Sequence, residues 1–270
     1  MPRFAHHGFT FHYVDSGNGI PFVFQHGLGG SAGQAVDLIP QLEGIRVLSL
    51  DCRNHGLTQP SRAAAQLGFA PCAGDLAALL DHLGLAHAYF GGVSMGAALS
   101  LRMALDHPQR VRGLLLVRPA WLDGPMPARE WLTTVARLIR EHGPARGRAL
   151  LAASEAFQRL QESAPDPADS LLRQFDAPQA AQRVARLEVM PMDAPIPSLG
   201  DLQKLCIPAH VIATDRDPIH PLDLARTLAA ALPAATFQQV IAKSDNLARH
   251  TEEARTAIAA WLARESRKLP

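Results

Sequence analysis

Ten consecutive residues, Tyr89-Phe90-Gly91-Gly92-Val93-Ser94-Met95-Gly96-Ala97-Ala98, constrain this chain more than any others. A short apolar run leads into Gly-Val-Ser-Met-Gly, and an Ala-rich segment with helical spacing follows. This pattern fits a sharp strand-to-helix turn that forces its serine into a strained conformation. Gly92 and Gly96 are needed because a side chain at either place would collide with neighbouring backbone. The turn lifts the Ser94 hydroxyl clear of the sheet. It also leaves the Met95 N–H, at the helix start, unpaired and directed to where an oxyanion would form.

The rest of the chain supplies the strands and helices that such a turn needs. Apolar runs bounded by turn residues recur at 21–24, 46–50, 88–91, 113–117 and 209–213 and predict buried strands. Helical patterns lie between them, clearest over 73–83 and 95–104, and residues 9–14 alternate like an antiparallel strand leading in. The expected fold is α/β, a mostly parallel central sheet with helices on both faces. A last helix is predicted over 252–263, with Ala254, Ala257, Ile258, Trp261 and Leu262 on its buried face. From about Trp121 to Leu199 strand signals give way to Ala-, Arg- and Leu-rich helices broken by prolines. The expected organisation is a core of residues 1–120 and 200–270 with a helical cap or lid at 121–199, the alternative being helices that only cover a sheet edge.

Composition narrows the function classes. The 270 residues are 47% hydrophobic and 19% charged, with a formal net charge of +1 and no basic block. Nothing here favours nucleic acid or an acidic membrane as a partner, and a small-molecule substrate is expected. Residues 1–13 lack the apolar core of a secretory signal, and no run is long enough to span a bilayer. Cys52, Cys72 and Cys206 are odd in number and form no CxxC pair, so a reducing cytoplasm with free thiols is expected. No metal or nucleotide signature appears, the phosphate-loop Lys and Ser/Thr being absent after the glycines, and no cofactor is expected.

A second motif, Phe24-Gln25-His26-Gly27-Leu28-Gly29-Gly30, directly follows a predicted strand. With the serine turn it resembles the α/β-hydrolase superfamily. The resemblance implies that the Leu28 N–H is the second oxyanion donor beside that of Met95, and that His26 organises the loop. It extends to Asp51-Cys52-Arg53-Asn54-His55-Gly56-Leu57-Thr58, similar to the family's DxRGxGxS turn, with Asn54 for the first glycine and Thr58 for the serine. It continues into Thr214-Asp215-Arg216-Asp217-Pro218-Ile219-His220-Pro221, where Asp217 matches the acid that orients a histidine and Asp215 is the nearby competitor.

The family's general base is a histidine in the loop before the final helix. Counting back from Glu252 places it on Ser244 or Asp245, neither of which can replace an imidazole. His250 is taken first as the base, although it lies beyond the expected position, and His220 second.

The leading expectation is a serine hydrolase of a small carboxylic ester, thioester or lactone, with Ser94, Asp217 and His250 catalytic and Leu28 and Met95 forming the oxyanion hole. Trp121, Trp131, Leu132, Leu138, Phe157 and Phe175 in the cap suggest an apolar acyl or ring portion, or else helix packing. The alternatives are a lyase, isomerase or acyltransferase using the oxyanion hole, or a degenerate ligand-binding protein without a base.

Overall fold

The predicted apolar runs form a sheet in the computed structural model, which describes residues 1–61 and 64–268. The strands are β1 (Arg3–His6), β2 (Phe9–Gly17), β3 (Ile20–Gln25), β4 (Ile45–Leu50), β5 (Ala88–Val93), β6 (Val111–Val117), β7 (Ala209–Thr214) and β8 (Ala235–Val240). Their order is β1-β2-β4-β3-β5-β6-β7-β8. β1 pairs antiparallel with β2, and β2 antiparallel with β4; all later pairings are parallel. Nothing in the apolar pattern announced β1 or β8. β8, at the sheet edge, reads Ala-Thr-Phe-Gln-Gln-Val and buries only Val240 completely, so it lacks the continuous apolar signal of a central strand.

The helices are α1 (Ala32–Leu38), α2 (Phe69–His82), α3 (Met95–Asp106), α4 (Arg129–Ala152), α5 (Glu155–Ser163), α6 (Pro165–Asp176), α7 (Ala185–Val189), α8 (Leu222–Ala231) and α9 (Leu247–Ser266). The period-two geometry of the strands sorts their side chains into two cores. Leu114 and Leu116 of β6 join Val23, Phe90 and Val211 on one face, while Leu115 and Val117 join Phe22, Phe24, Tyr89 and Ile212 on the other. α9 closes the second face with Ala257, Ile258, Trp261 and Leu262, and Trp261 meets Tyr89 edge-on at 5.6 Å.

α4 to α7 are inserted between β6 and β7, and no strand interrupts them among the described residues. α4 kinks at Gly143, whose φ of 75° leaves the helical region just before Pro144 removes a donor. Phe157, Leu171 and Phe175 pack with Leu138 and Leu151 in the same buried cluster as the sheet's first face.

α9 starts at Leu247, earlier than the Glu252 expected. Asn246 accounts for the difference, because its side chain accepts the Arg249 N–H at 3.0 Å and caps an additional turn. That turn takes in His250. Among the described residues no helix is long and apolar enough to cross a membrane.

Candidate active site

β5 runs directly into α3, and Ser94 sits at the junction with φ 56° and ψ −109°. Few non-glycine residues adopt this backbone, and it persists here because the surroundings fix it. The Ser94 N–H bonds to the Val117 carbonyl of β6 at 3.0 Å. A Cβ on Gly92 would run into the backbone of Gly96, and one on Gly96 into the Gln25 carbonyl of β3. The turn thus packs strand, helix and neighbouring strand too closely for any side chain at these two positions.

Across the sheet top, the loop from β7 to α8 brings an imidazole to the serine. The Asp217 Oδ1 accepts the N–H groups of Ile219 and His220 at 3.1 and 3.2 Å, an aspartate turn with Pro218 in its bend. The turn folds His220 back over the carboxylate. Its Nδ1 lies 2.9 Å from Asp217 Oδ2 and its Nε2 lies 2.9 Å from Ser94 Oγ. Assigning the proton to Nδ1 satisfies both contacts, since Nδ1–H then donates to the carboxylate and Nε2 accepts from the hydroxyl.

The structure therefore separates the residues grouped by the sequence. Ser94 and Asp217 come together, but through His220 and not His250. His250, taken first as the base, lies within the first turns of α9, where its Nδ1 donates to the Ile241 carbonyl at 2.7 Å. Asp215 is partly exposed and faces Arg216, whose other partner is Asp245.

Three charged residues not singled out from the sequence complete the constellation. Arg118, at φ 48° just past β6, donates from Nη2 to Asp217 Oδ2 at 2.6 Å. Lys243, from the loop between β8 and α9, pairs at 2.9 Å with Asp166 of α6. Both cations line the same cavity as Ser94 and His220. Lys243 occupies the loop that the sequence reading searched only for histidine. Arg118 could have been suspected as the first residue past a central strand's C-terminal end, where sites of parallel sheets gather.

These charges set the protonation states. Burial alone would raise the Asp217 carboxyl, but the His220 imidazole and the Arg118 guanidinium outweigh it and hold the group far below the usual carboxylate range. His220 is pulled the other way. Burial disfavours its cation, Asp217 favours it, and the charges of Arg118 and Lys243 oppose it, leaving its pKa below 6.5. The resting arrangement is an ionised aspartate and a neutral imidazole facing a hydroxyl. Lys243 is lowered from 10.5, by burial first and the charge of Arg118 second.

The loop after β3 supplies the opposite wall. His26 Nε2 accepts the Cys52 N–H at 3.2 Å, so its Nδ1 carries the proton and donates to the Gly27 carbonyl at 2.8 Å. Asp51 takes the N–H groups of Ala32 and Leu57 and the His12 Nδ1, tying the 51–58 turn to the start of α1. Neither the Leu28 nor the Met95 N–H has a hydrogen-bond partner among the described residues. The cavity encloses about 140 Å³, with Trp121, Met126, Leu132 and Leu171 as apolar walls and Asp166, Ser170 and Gln174 of α6 above. Trp131, Leu138, Phe157 and Phe175 pack elsewhere among the helices, Trp131 meeting Phe157 edge-on at 6.4 Å. Among the described residues no cluster of three or more His, Cys, Asp and Glu side chains could hold a metal.

Known proteins resemble this chain in sequence or in fold. The magnesium-chelatase 30 kDa subunit of Rhodobacter capsulatus is 29% identical over 248 residues, 84% of this chain and 82% of that protein. A thermophilic esterase from Thermogutta terrifontis superposes with a TM-score of 0.74 at 24% identity, over 98% of this chain and 99% of the esterase. The enol-lactonase from Burkholderia xenovorans LB400 superposes with a TM-score of 0.72 at 23% identity, over 95% of this chain and 98% of that one. The family model for the alpha/beta hydrolase fold matches residues 20–248, most of the chain, and the chain belongs to that family.

Proposed function

We propose that this protein is a serine hydrolase of a small carboxylic ester, thioester or lactone. The observation that carries the reading is the pair of 2.9 Å contacts linking Ser94 Oγ to His220 Nε2 and His220 Nδ1 to Asp217 Oδ2. His220 Nε2 takes the hydroxyl proton as Ser94 Oγ bonds to the substrate carbonyl carbon, and the new oxyanion faces the Leu28 and Met95 N–H groups. Collapse breaks the bond to the leaving oxygen or sulfur, which receives the proton from His220. Water, deprotonated by the same imidazole, then attacks the acyl-Ser94 ester, and the bond to Ser94 Oγ breaks as His220 returns the proton to that oxygen, releasing the acid. Asp217 orients the ring and stabilises its transient cation, and Arg118 keeps Asp217 ionised while being a positioning residue rather than a reacting one.

The similar folds of an esterase and an enol-lactonase favour ester and lactone carbonyls. A cavity of about 140 Å³ favours a small acyl group, with Trp121 and Leu132 against its apolar part. The helices from α4 to α7 act as the cap, because α6 lends Asp166, Ser170 and Gln174 to the cavity roof. The alternative of a degenerate binding protein loses its motive, since an imidazole does stand against Ser94.

Incubation with a fluorophosphonate followed by intact-mass measurement tests the reading without knowledge of the substrate. A single stoichiometric adduct is expected, absent from Ser94→Ala. Folded wild-type protein that gains no mass would overturn it, and a panel of esters, thioesters and lactones then separates the carbonyl classes by acid release.

A further inference from the structure

Beside the catalytic cavity lies a larger groove of about 870 Å³, walled in part by Tyr13, Leu57 and Pro178, and Arg183 and Arg186 also line it. The two cavities share Gly29, Gly30, Gln34 and Arg173. Arg183 and Arg186 are only 4% and 3% exposed. Arginines so enclosed normally meet a carboxylate, because an unpaired buried charge is costly. Here neither forms an ion pair among the described residues. Arg183 donates from Nη1 to the Gly56 carbonyl at 2.7 Å, and its buried Nε has no partner. Arg186 donates to the Gln174 side chain at 2.9 Å and, weakly, to the Arg183 carbonyl at 3.4 Å.

Three carboxylates also line the groove, and all are engaged: Asp15 pairs with Arg46 at 2.7 Å. Asp51 is held by His12, Ala32 and Leu57, and Asp176 faces Arg148 at 3.3 Å on the surface. Burial with the charge of Arg183 brings Arg186 down to about 10, and burial also lowers Arg183, against the partial support of the Asp51 charge. A guanidinium has five donors in a fixed fork suited to an oxyanion, and most of those on this pair are uncommitted.

We propose that Arg183 and Arg186 bind the oxyanion, carboxylate or phosphate, of a ligand whose apolar body fills this groove. Resting on the hydrolase reading above, this ligand is the distal part of the substrate, with its scissile carbonyl reaching Ser94 past Gly29 and Gly30. The anion supplies a counter-charge that the protein gives only in part, through the Asp51 carboxylate acting on Arg183.

Calorimetric titration of the full chain with 4-phenylbutyrate, phenyl phosphate and neutral 4-phenylbutyramide tests this. Wild type and Ser94→Ala should both bind at least one anion about tenfold tighter than the amide, the usual scale for a charge-assisted contact. Which anion binds tighter distinguishes carboxylate from phosphate. Arg183→Met and Arg186→Met should each abolish the preference, and Arg186→Lys should keep part of it. Without ligand, Arg186→Met should melt no lower than wild type, because it removes an uncompensated buried cation; a purely structural arginine would give a lower Tm and an unchanged anion preference. Charge-blind binding, or no anion binding by folded wild type at millimolar concentration, overturns the proposal. Should the methionine variants fail to fold, the Arg186→Lys and wild-type titrations still decide it. Loss of the fluorophosphonate adduct with anion binding intact would sink the hydrolase reading alone.

Discussion

His220 and Asp217 stand three positions apart in one loop, so a single aspartate turn sets the distance between the proposed base and its orienting acid. His220→Ala should lower kcat/KM for an ester by about 10³-fold or more, the usual scale for losing a general base that activates serine. His250→Ala should leave kcat/KM within the same order, and cost about 1 kcal/mol of stability for the bond to Ile241. Both are measurable by steady-state kinetics and urea unfolding. The pH profile follows from the charges. The base works only when neutral, so activity is lost as pH falls through its pKa, and because that pKa is depressed the acid limb should lie below pH 6.5. Arg118→Met removes a cation that opposes protonation, so it should move the limb to higher pH, and kcat/KM recorded across pH 4 to 8, about the span in which histidine titrates, reads the shift. The proposed base was hidden in the sequence for a local reason. His250 was weighed as a loop residue, whereas the Asn246 cap draws it into a helix. The signal for His220 was present in Asp217-Pro218, a dipeptide that starts turns and can return the next histidine to its own carboxylate.

Among the elements, the serine turn was the most legible because its constraint is steric. Gly96→Ala should push a methyl group against the Gln25 carbonyl and cost about 1–3 kcal/mol, read as a lower urea midpoint, together with a loss of the fluorophosphonate adduct as Ser94 shifts. α9 tests a different dependence. Trp261→Ala empties a fully packed site under Tyr89 and should cost about 3–5 kcal/mol while leaving the pH profile of the folded fraction unchanged. Central strands were readable from continuous apolar runs, and α9 from one apolar face. β8 was not, because an edge strand with exposed Thr236, Phe237, Gln238 and Gln239 has no need of that pattern. Its partner β7 specifies its place through backbone pairing from Ala209 to Thr214, which leaves no mark in side-chain hydrophobicity.

At the scale of the molecule, the alternation of apolar runs with helical patterns anticipated an α/β sheet with both faces covered, and the family match agrees. It could not anticipate charge brought together from distant segments. Arg118, Asp166 and Lys243 belong to a strand end, an inserted helix and a late loop, and only the tertiary fold makes them neighbours. The same holds for Arg183 and Arg186, which no motif marks in the sequence. The short loop joining Asp217 to His220 has one more consequence, for the order in which the chain is made. Every side chain assigned to the proposed proton relay has been joined to the chain by residue 220, while β8 and α9 are still to come. β8, α9 and the loop between them thus supply no group that moves the proton and act on the relay only from outside it, through the Lys243 charge that opposes the His220 cation.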